Sequence, residues 1–121
     1  MKHLNDFIYF DFDSWAEGKE FQVISVKKWE DREMGTTLGK VVETVILKDD
    51  CKNYRLKKDE EFDLVYEKVI FKAIEADVKK GDHVSFVNPH PVVYVNNDFI
   101  NVSFKVDEVI IKKIGEGGKK L

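Results

Sequence analysis

Residues Phe21 to Leu47, FQVISVKKWEDREMGTTLGKVVETVIL, predict a β-hairpin and with it the class of fold. Their apolar residues recur with a period of two, which is the spacing of a β-strand and not that of a helix. Phe21 to Trp29 form one predicted strand, and Lys40 to Lys48, rich in Val, Ile and Thr, form a second. Glu30 to Gly39, which is polar and carries two glycines, predicts the connecting loop.

Period-two patterns continue through most of the remaining chain. The later predicted strands are Leu64 to Ile74, His83 to Val87, Val92 to Val95, Ile100 to Val106 and Val109 to Ile114. A long polar loop is expected over Asp49 to Phe62, at most one helical turn over Glu75 to Lys80, and tight turns at Asn96 to Asp98 and at Asp107-Glu108. About six strands separated by turns predict an all-β fold, either a small barrel or a sandwich.

Composition limits the classes of protein that this chain can belong to. Its 121 residues suit one domain. With 43% hydrophobic residues and a net charge of −3, it is expected to fold. No apolar run is long enough for a membrane span, and the first ten residues lack the pattern of a signal peptide. The single cysteine, Cys51, cannot form an internal disulfide, so we expect a cytoplasmic protein.

The sequence contains few residues that are arranged for catalysis or metal binding. The three histidines, His3, His83 and His90, are scattered, and none is spaced with another His or Cys as metal ligands are. Cys51 lacks an obvious base, and the glycines of the chain form no phosphate-binding loop. We therefore expect no enzyme, no metal and no cofactor.

Basic residues interleaved with aromatic ones are the feature that stands out. Single-stranded nucleic acid is bound by a positive groove along its backbone and by aromatic rings on which its bases stack. The chain has 18 Lys and 2 Arg, and many of them lie near a Trp or Tyr. The predicted binding residues are Lys27, Lys28, Trp29, Arg32, Lys40, Tyr54, Arg55, Lys57, Lys58, Tyr66, Lys68, Lys72 and Tyr94. In the alternative interpretation, these aromatic rings cap the core at strand ends and the lysines are solvated.

Three segments resemble the OB-fold of bacterial and phage single-stranded DNA-binding proteins. The first is the hairpin Phe21 to Leu47; the second is VKKGDHVSFVNP, Val78 to Pro89; the third is VVYVNNDFINVSFKVDEVIIKK, Val92 to Lys113. The resemblance covers about residues 20–114. It implies a small OB-fold-like barrel of five to six strands, here with a short or absent helix between strands 3 and 4.

The resemblance also implies a function. The chain would bind single-stranded DNA without sequence preference and protect it during replication, recombination or transfer of a bacteriophage or mobile element, in the host bacterial cytoplasm. Trp29 and Tyr54 would be the stacking platforms and the other predicted residues would mainly contact phosphates. Expected partners are single-stranded DNA, further copies of the chain in a dimer or tetramer, and replication or recombination proteins, with no membrane.

Two regions depart from the family pattern. Residues 1–19, acidic and aromatic, have no counterpart, and we expect an N-terminal extension that can add an extra strand. Residues 115–121 form a predicted flexible tail, and it ends in Lys119-Lys120-Leu121, whereas the family's tail is acidic and ends in Phe. The barrel itself is assigned to residues 20–114.

A second class of function stays open. Net charge −3, an acidic N-terminus and few arginines suit a non-enzymatic protein-interaction module, a scaffold or inhibitor built on a small β-barrel. An OB-fold does not by itself imply nucleic acid, because the same barrel binds sugars and proteins.

Overall fold

The structure, a computed structural model, describes residues 9–97 and 99–112. It contains one short helix and six strands: α1 Phe12–Ala16, β1 Lys19–Asp31, β2 Thr36–Asp49, β3 Lys68–Ala76, β4 His83–Pro89, β5 Val92–Asn96 and β6 Phe99–Ile111. The predicted residues 1–8 of the extension, Asp98 of the predicted turn, the end of the barrel segment at residues 113–114 and the predicted flexible tail lie outside the described residues.

The strands close into a small barrel. Antiparallel pairing joins β1 to β2 and β2 to β3, and a parallel pairing then joins β3 to β6. Strand β4 pairs with both β6 and β1, which completes the ring, while β5 forms a hairpin with the first part of β6. The prediction of an all-β barrel without a clear helix between strands 3 and 4 is therefore confirmed.

Alternating side chains of these strands fill the barrel. In β3, Val69, Phe71 and Ala73 are buried, as the period-two pattern predicts. Phe71 stacks on Phe86 of β4 with ring centroids 4.0 Å apart. Burial of such alternating residues is the main force holding the strands in register, because a slip of one residue would expose the whole set.

Helix α1 adds to this core, within the N-terminal extension that was expected to add an extra strand. The Asp11 side chain accepts a hydrogen bond from the Ser14 backbone N–H and so caps the helix start. Phe12 is buried, and its ring lies within about 6 Å of those of Phe86 and Phe104. The strand prediction was wrong for these residues because it counted Phe12 as one face of a ribbon, whereas the helix inserts it into the barrel.

Three further local predictions differ from the structure. The loop of the first hairpin is only Arg32 to Gly35, because Thr36 and Thr37 continue the ladder opposite β1. The strand predicted over Leu64 to Ile74 is shifted, since β3 runs from Lys68 to Ala76; the irregular connection that follows agrees with the expectation of at most one helical turn. No turn interrupts β6 at Asp107-Glu108, because pairing with β4 and β3 outweighs the turn preference of the two acids.

Candidate nucleic-acid interface

A row of lysines crosses the outer face of the barrel. Directly paired residues point to the same face of a sheet. Lys27 of β1 pairs with Val41 of β2, Val41 pairs with Lys72 of β3, and Lys72 pairs with Lys105 of β6. Their neighbours along the strands, such as Val42 and Phe71, are buried, so the row faces away from the core. Three ammonium groups therefore lie on one line across four strands.

Trp29 lies beside this row. The Nζ atom of Lys72 is 5.6 Å from the centroid of the Trp29 ring, within the range of a cation–π interaction. Opposite Trp29 is Gly39, where an added Cβ would overlap the carbonyl oxygen of Ala73. Only glycine allows β2 and β3 to approach so closely, and its lack of a side chain leaves the half-buried Trp29 ring without a neighbour on that side.

A groove continues the same surface between β3 and the β5–β6 hairpin. Its volume is about 330 Å³, at the lower end of the range for ligand pockets. Lys68 and Lys72 line one wall, Tyr94 and Ser103 line the other, and Ile70 supplies apolar surface. Tyr94 is 43% exposed, so part of its ring is open to a ligand in the groove.

One carboxylate lies within this basic surface. Glu43 accepts a hydrogen bond from the hydroxyl of Ser25. That bond, together with the charges of Lys27 and Lys68, outweighs the opposing effect of burial and lowers the pKa of the Glu43 carboxyl. Glu43 therefore stays negative near neutral pH, and a phosphate would be attracted to the lysines around it and repelled from Glu43 itself.

The structure thus brings five of the predicted residues together with one that the sequence analysis did not identify. We call this set the strand-face cluster: Lys27, Trp29, Lys68, Lys72, Tyr94 and Lys105. Lys105 was missed because its place beside Lys72 depends on the parallel β3–β6 pairing, which joins residues 33 positions apart. The alternation around Lys105 marks it as outward-facing, but only the pairing shows which surface it joins.

The basic loop between β2 and β3 lies elsewhere. Tyr54, Arg55, Lys57 and Lys58 follow Asp49, whereas Trp29 pairs near the other end of β2, at Gly39. Ten residues of strand, about 33 Å along the chain, separate Gly39 from Asp49. The loop packs instead on α1, where the Asn53 side chain donates to the carbonyl oxygen of Ser14.

Tyr54 is engaged within the protein. Its hydroxyl donates to Asp49 Oδ2 at 2.7 Å, and its ring lies 4.7 Å from Lys19 Nζ and 5.0 Å from the Phe62 ring. Burial and the bond to Asp49 raise the pKa of the Tyr54 hydroxyl well above its usual range. One face of the predicted stacking platform is therefore covered by Lys19.

The remaining predicted residues are spread over other surfaces. Lys28 and Lys40 pair across β1 and β2, and Lys40 Nζ donates to the Ala76 carbonyl oxygen at 2.7 Å. Arg32 is exposed in the β1–β2 turn. Tyr66, 77% exposed with a φ of 72°, lies just before β3, and its backbone N–H donates to Ile46. These four are not joined to the strand-face cluster by any described contact.

The described part of the chain shows no comparable site for a metal ion and no membrane-spanning helix. Within residues 9–97 and 99–112, no group of three or more His, Cys, Asp or Glu side chains is placed to hold a metal ion. No described helix has the length and apolar character that crossing a membrane requires. No protein-family model, no curated protein and no solved structure matches the chain. Function therefore has to be inferred from the chemistry of the surface.

Proposed function

We propose that the protein binds single-stranded DNA without strong sequence preference, through the strand-face cluster. The observation that carries this proposal is the line of Lys27, Lys72 and Lys105 with Trp29 beside it and Tyr94 across the groove. Lysines spaced along a surface neutralise successive phosphates, and exposed aromatic rings offer stacking to any base. Protection of single strands during replication, recombination or transfer of a phage or mobile element is the role that such binding would serve.

The negative net charge does not oppose this proposal. The chain carries a net charge of −3, yet a polyanion responds to the local field near its path more than to the total charge. Lys27 and Lys68 act on Glu43, and Asp107 lies two residues from Lys105 along β6, so the four lysines of the cluster stand against two carboxylates. The local balance is therefore positive.

An anisotropy titration tests the proposal directly. A labelled poly-dT of about 30 nucleotides is titrated at about 50 and 200 mM salt, with duplex DNA and single-stranded RNA as competitors. Three to four phosphate contacts predict a log–log salt slope of about −2 to −3, and therefore a loss of affinity of about 20- to 50-fold between the two salt concentrations. No binding at tens of micromolar protein would remove the proposed function.

Single-site variants locate the binding surface. Lys72→Ala should weaken binding and make the salt slope about 0.7 less steep, because one phosphate contact is lost. Lys80→Ala is the matched control: it removes an exposed lysine from the turn before β4, outside the cluster, and should leave the slope unchanged. The paired change Lys57→Glu with Lys58→Glu tests the basic loop. If affinity and slope stay unchanged, that loop is outside the DNA footprint.

Trp29 gives a second readout. Its fluorescence should be quenched by poly-dT because a stacked base contacts the ring. Trp15 is partly buried against Phe10 and Phe104, and a Trp29→Phe variant keeps it, so the quenching that this variant loses belongs to Trp29.

The alternative, a protein-interaction module, is favoured by one observation. Among the described strands, β5 pairs only with β6, and its residues Val92, Tyr94 and Val95 are about half exposed, so no described strand covers its outer edge, which could accept a strand from another protein. An unresponsive Trp29 together with a failed titration would favour this alternative, and the partner would then be sought by affinity capture on the intact chain.

A further inference from the structure

An apolar groove with an acidic rim lies where β3 ends. Its volume is about 410 Å³, and the side chains that define it are Leu38, Lys40, Ile74, Glu75, Asp77 and Glu108. Leu38 is 45% and Ile74 is 60% exposed, so the apolar part is open to solvent. Lys40 is the only cation of this set, and its Nζ is already held by the carbonyl oxygen of Ala76. We call this surface the acidic groove.

The carboxylates of the acidic groove lack partners in the described part of the molecule. Glu75 and Glu108 are neighbours across the parallel pairing of β3 and β6, where like charges repel. Neither of them, nor Asp77, forms an ion pair with a described residue. They are also not placed to hold a metal ion together. The groove is therefore suited to a larger ligand that carries several positive charges and an apolar side chain.

This chain contains a segment with those properties. Residues 52–58, KNYRLKK, form the first half of the β2–β3 loop, which we call the basic arm. It carries Lys52, Arg55, Lys57 and Lys58, none of which pairs with a carboxylate among the described residues. Leu56, between two of these cations, is 44% exposed.

The acids that follow the basic arm begin in a turn, and one of them, Glu60, contacts the backbone of the arm. The Glu60 backbone N–H donates to the Lys57 carbonyl oxygen at 3.0 Å, and the Glu60 side chain accepts from the Lys57 backbone N–H. Glu60 therefore lies against the backbone of the arm, but the charged groups of the arm form no ion pair with it or with another described carboxylate. The arm therefore offers a mainly positive surface with one apolar side chain.

The basic arm cannot reach the acidic groove of its own chain. The arm belongs to the loop that precedes Lys68, the first residue of β3, whereas the groove lies at Ile74 to Asp77, at the other end of that strand. Eight residues of strand, about 26 Å, separate Lys68 from Ala76. Asn53 anchors the arm further by donating to the Ser14 carbonyl oxygen and to Glu17 Oε1 on the α1 side.

From this complementarity we infer that copies of the protein associate head to tail, with the basic arm of one copy in the acidic groove of the next. Leu56 would contact Leu38 and Ile74, while Arg55 and Lys57 would face Glu75 and Glu108. Such a contact joins two different surfaces, so one copy of a bound pair keeps a free groove and the other keeps a free arm. Heterologous contacts of this kind build open chains when the rotation between copies does not close a ring.

Sedimentation velocity of the full chain, without nucleic acid, tests this inference. The wild type is run between about 10 and 500 μM protein, a range that brackets weak interfaces. Runs at about 10 mM and about 0.15 M salt change the Debye length from about 30 to about 8 Å. We expect the weight-average sedimentation coefficient to rise with concentration without a plateau at low salt, and to rise less at high salt.

Two paired variants and a control identify the surfaces. Glu75→Gln with Glu108→Gln disables the groove, and Arg55→Gln with Lys57→Gln disables the arm. Each pair alone should remain monomeric. Asp13→Asn with Glu61→Gln removes two exposed carboxylates outside the groove and should associate like the wild type. Each variant must first keep the wild-type circular dichroism spectrum.

Mixing the two disabled variants is the decisive step. The intact arm of one fits the intact groove of the other, but the resulting pair has no working surface left. The mixture should therefore form dimers and nothing larger. An excess of a synthetic peptide of residues 52–58 should dissociate the wild-type assemblies into monomers. This measurement does not depend on the folding of any variant.

Several results would overturn the inference. These are a wild type that stays monomeric at low salt, a mixture that fails to dimerise, or an association that strengthens with salt. If the peptide binds the acidic groove while the intact chain stays monomeric, the groove would instead be assigned to a different protein partner. Because these experiments contain no DNA, none of their results bears on the proposed single-strand binding, which the anisotropy titration tests separately.

Discussion

Asp49→Asn should destabilise the protein by about 3–5 kcal/mol, because it leaves a buried ammonium group without its counter-ion. The Lys19 Nζ and Asp49 Oδ1 atoms are 3.3 Å apart, and neither side chain is exposed to solvent. Asp49 also accepts hydrogen bonds from the Tyr54 hydroxyl at 2.7 Å and from the Leu64 backbone N–H at 2.9 Å. This one carboxylate therefore joins the start of β1 to both ends of the β2–β3 loop.

The two halves of this ion pair should respond unequally. Lys19→Met leaves Asp49 with its neutral donors, including the Cys51 backbone N–H, so the cost should be smaller, about 1–3 kcal/mol. Asp49→Asn instead leaves Lys19 Nζ with the Trp15 carbonyl oxygen and two aromatic rings but no anion. In the double variant the losses should not add, and a coupling of about 1–3 kcal/mol is expected.

Urea unfolding measures these differences. Trp15, whose ring lies 4.8 Å from Lys19 Nζ, provides the fluorescence signal, and circular dichroism provides an independent one. A loss of 3–5 kcal/mol is a large part of the roughly 5–15 kcal/mol stability of such a domain. An Asp49→Asn variant within about 1 kcal/mol of the wild type, or additive losses in the double variant, would refute the reasoning.

Three other perturbations have defined outcomes. Phe12→Ala should cost about 3–5 kcal/mol in urea unfolding, because it empties a core position, whereas removing the 85% exposed Tyr9 ring should change little. Gly39→Ala should cost about 1–3 kcal/mol and weaken poly-dT binding, because the new methyl group displaces β3 at Ala73; equal stability and affinity would contradict the close approach. Burial raises the pKa of Asp49, but its hydrogen bonds and Lys19 lower it overall, below the unfolded value of about 3.9. The stability that the Asp49 carboxylate contributes is therefore present above its unfolded pKa and is lost as the pH falls through its lower folded pKa, so below about pH 4 the wild type should lose more stability than Asp49→Asn.

Local patterns predicted most of the strands because the barrel interior repeats the period of the backbone. The buried face of β3 and the hairpin of β1 and β2 follow directly from alternating side chains. The errors occur where pairing with a distant strand outweighs local preference. Thr36 and Thr37 extend β2 because β1 lies opposite them, and β6 runs straight through two turn-forming acids because β3 and β4 hold it on both sides.

The candidate site depends even more than the strands do on contacts between residues far apart in sequence. Which lysines face outward can be predicted from alternation, but which of them share a surface depends on strand order and register. Lys28 and Lys27 are adjacent in sequence, yet their neighbours in the sheet differ: Lys27 joins the row through Val41, whereas Lys28 pairs with Lys40 on the other side of the ribbon. The basic loop has the most conspicuous composition but lies at the opposite end of β2 from Trp29.

The N-terminal extension has a larger part in the fold than its acidic composition suggests. The connection from β3 to β4, Asp77 to Asp82, contains no helix that could pack on the barrel interior. Helix α1 supplies that packing, since Phe12 contacts the aromatic residues of three strands and Trp15 stacks on Phe104 at 5.1 Å. The carbonyl oxygens of Ser14 and Trp15 in turn receive Asn53 and Lys19, which tie the helix to the loop and to β1. Because the barrel core, the helix and the loop share these contacts, the described residues before β1, from residue 9 onward, pack as part of the barrel.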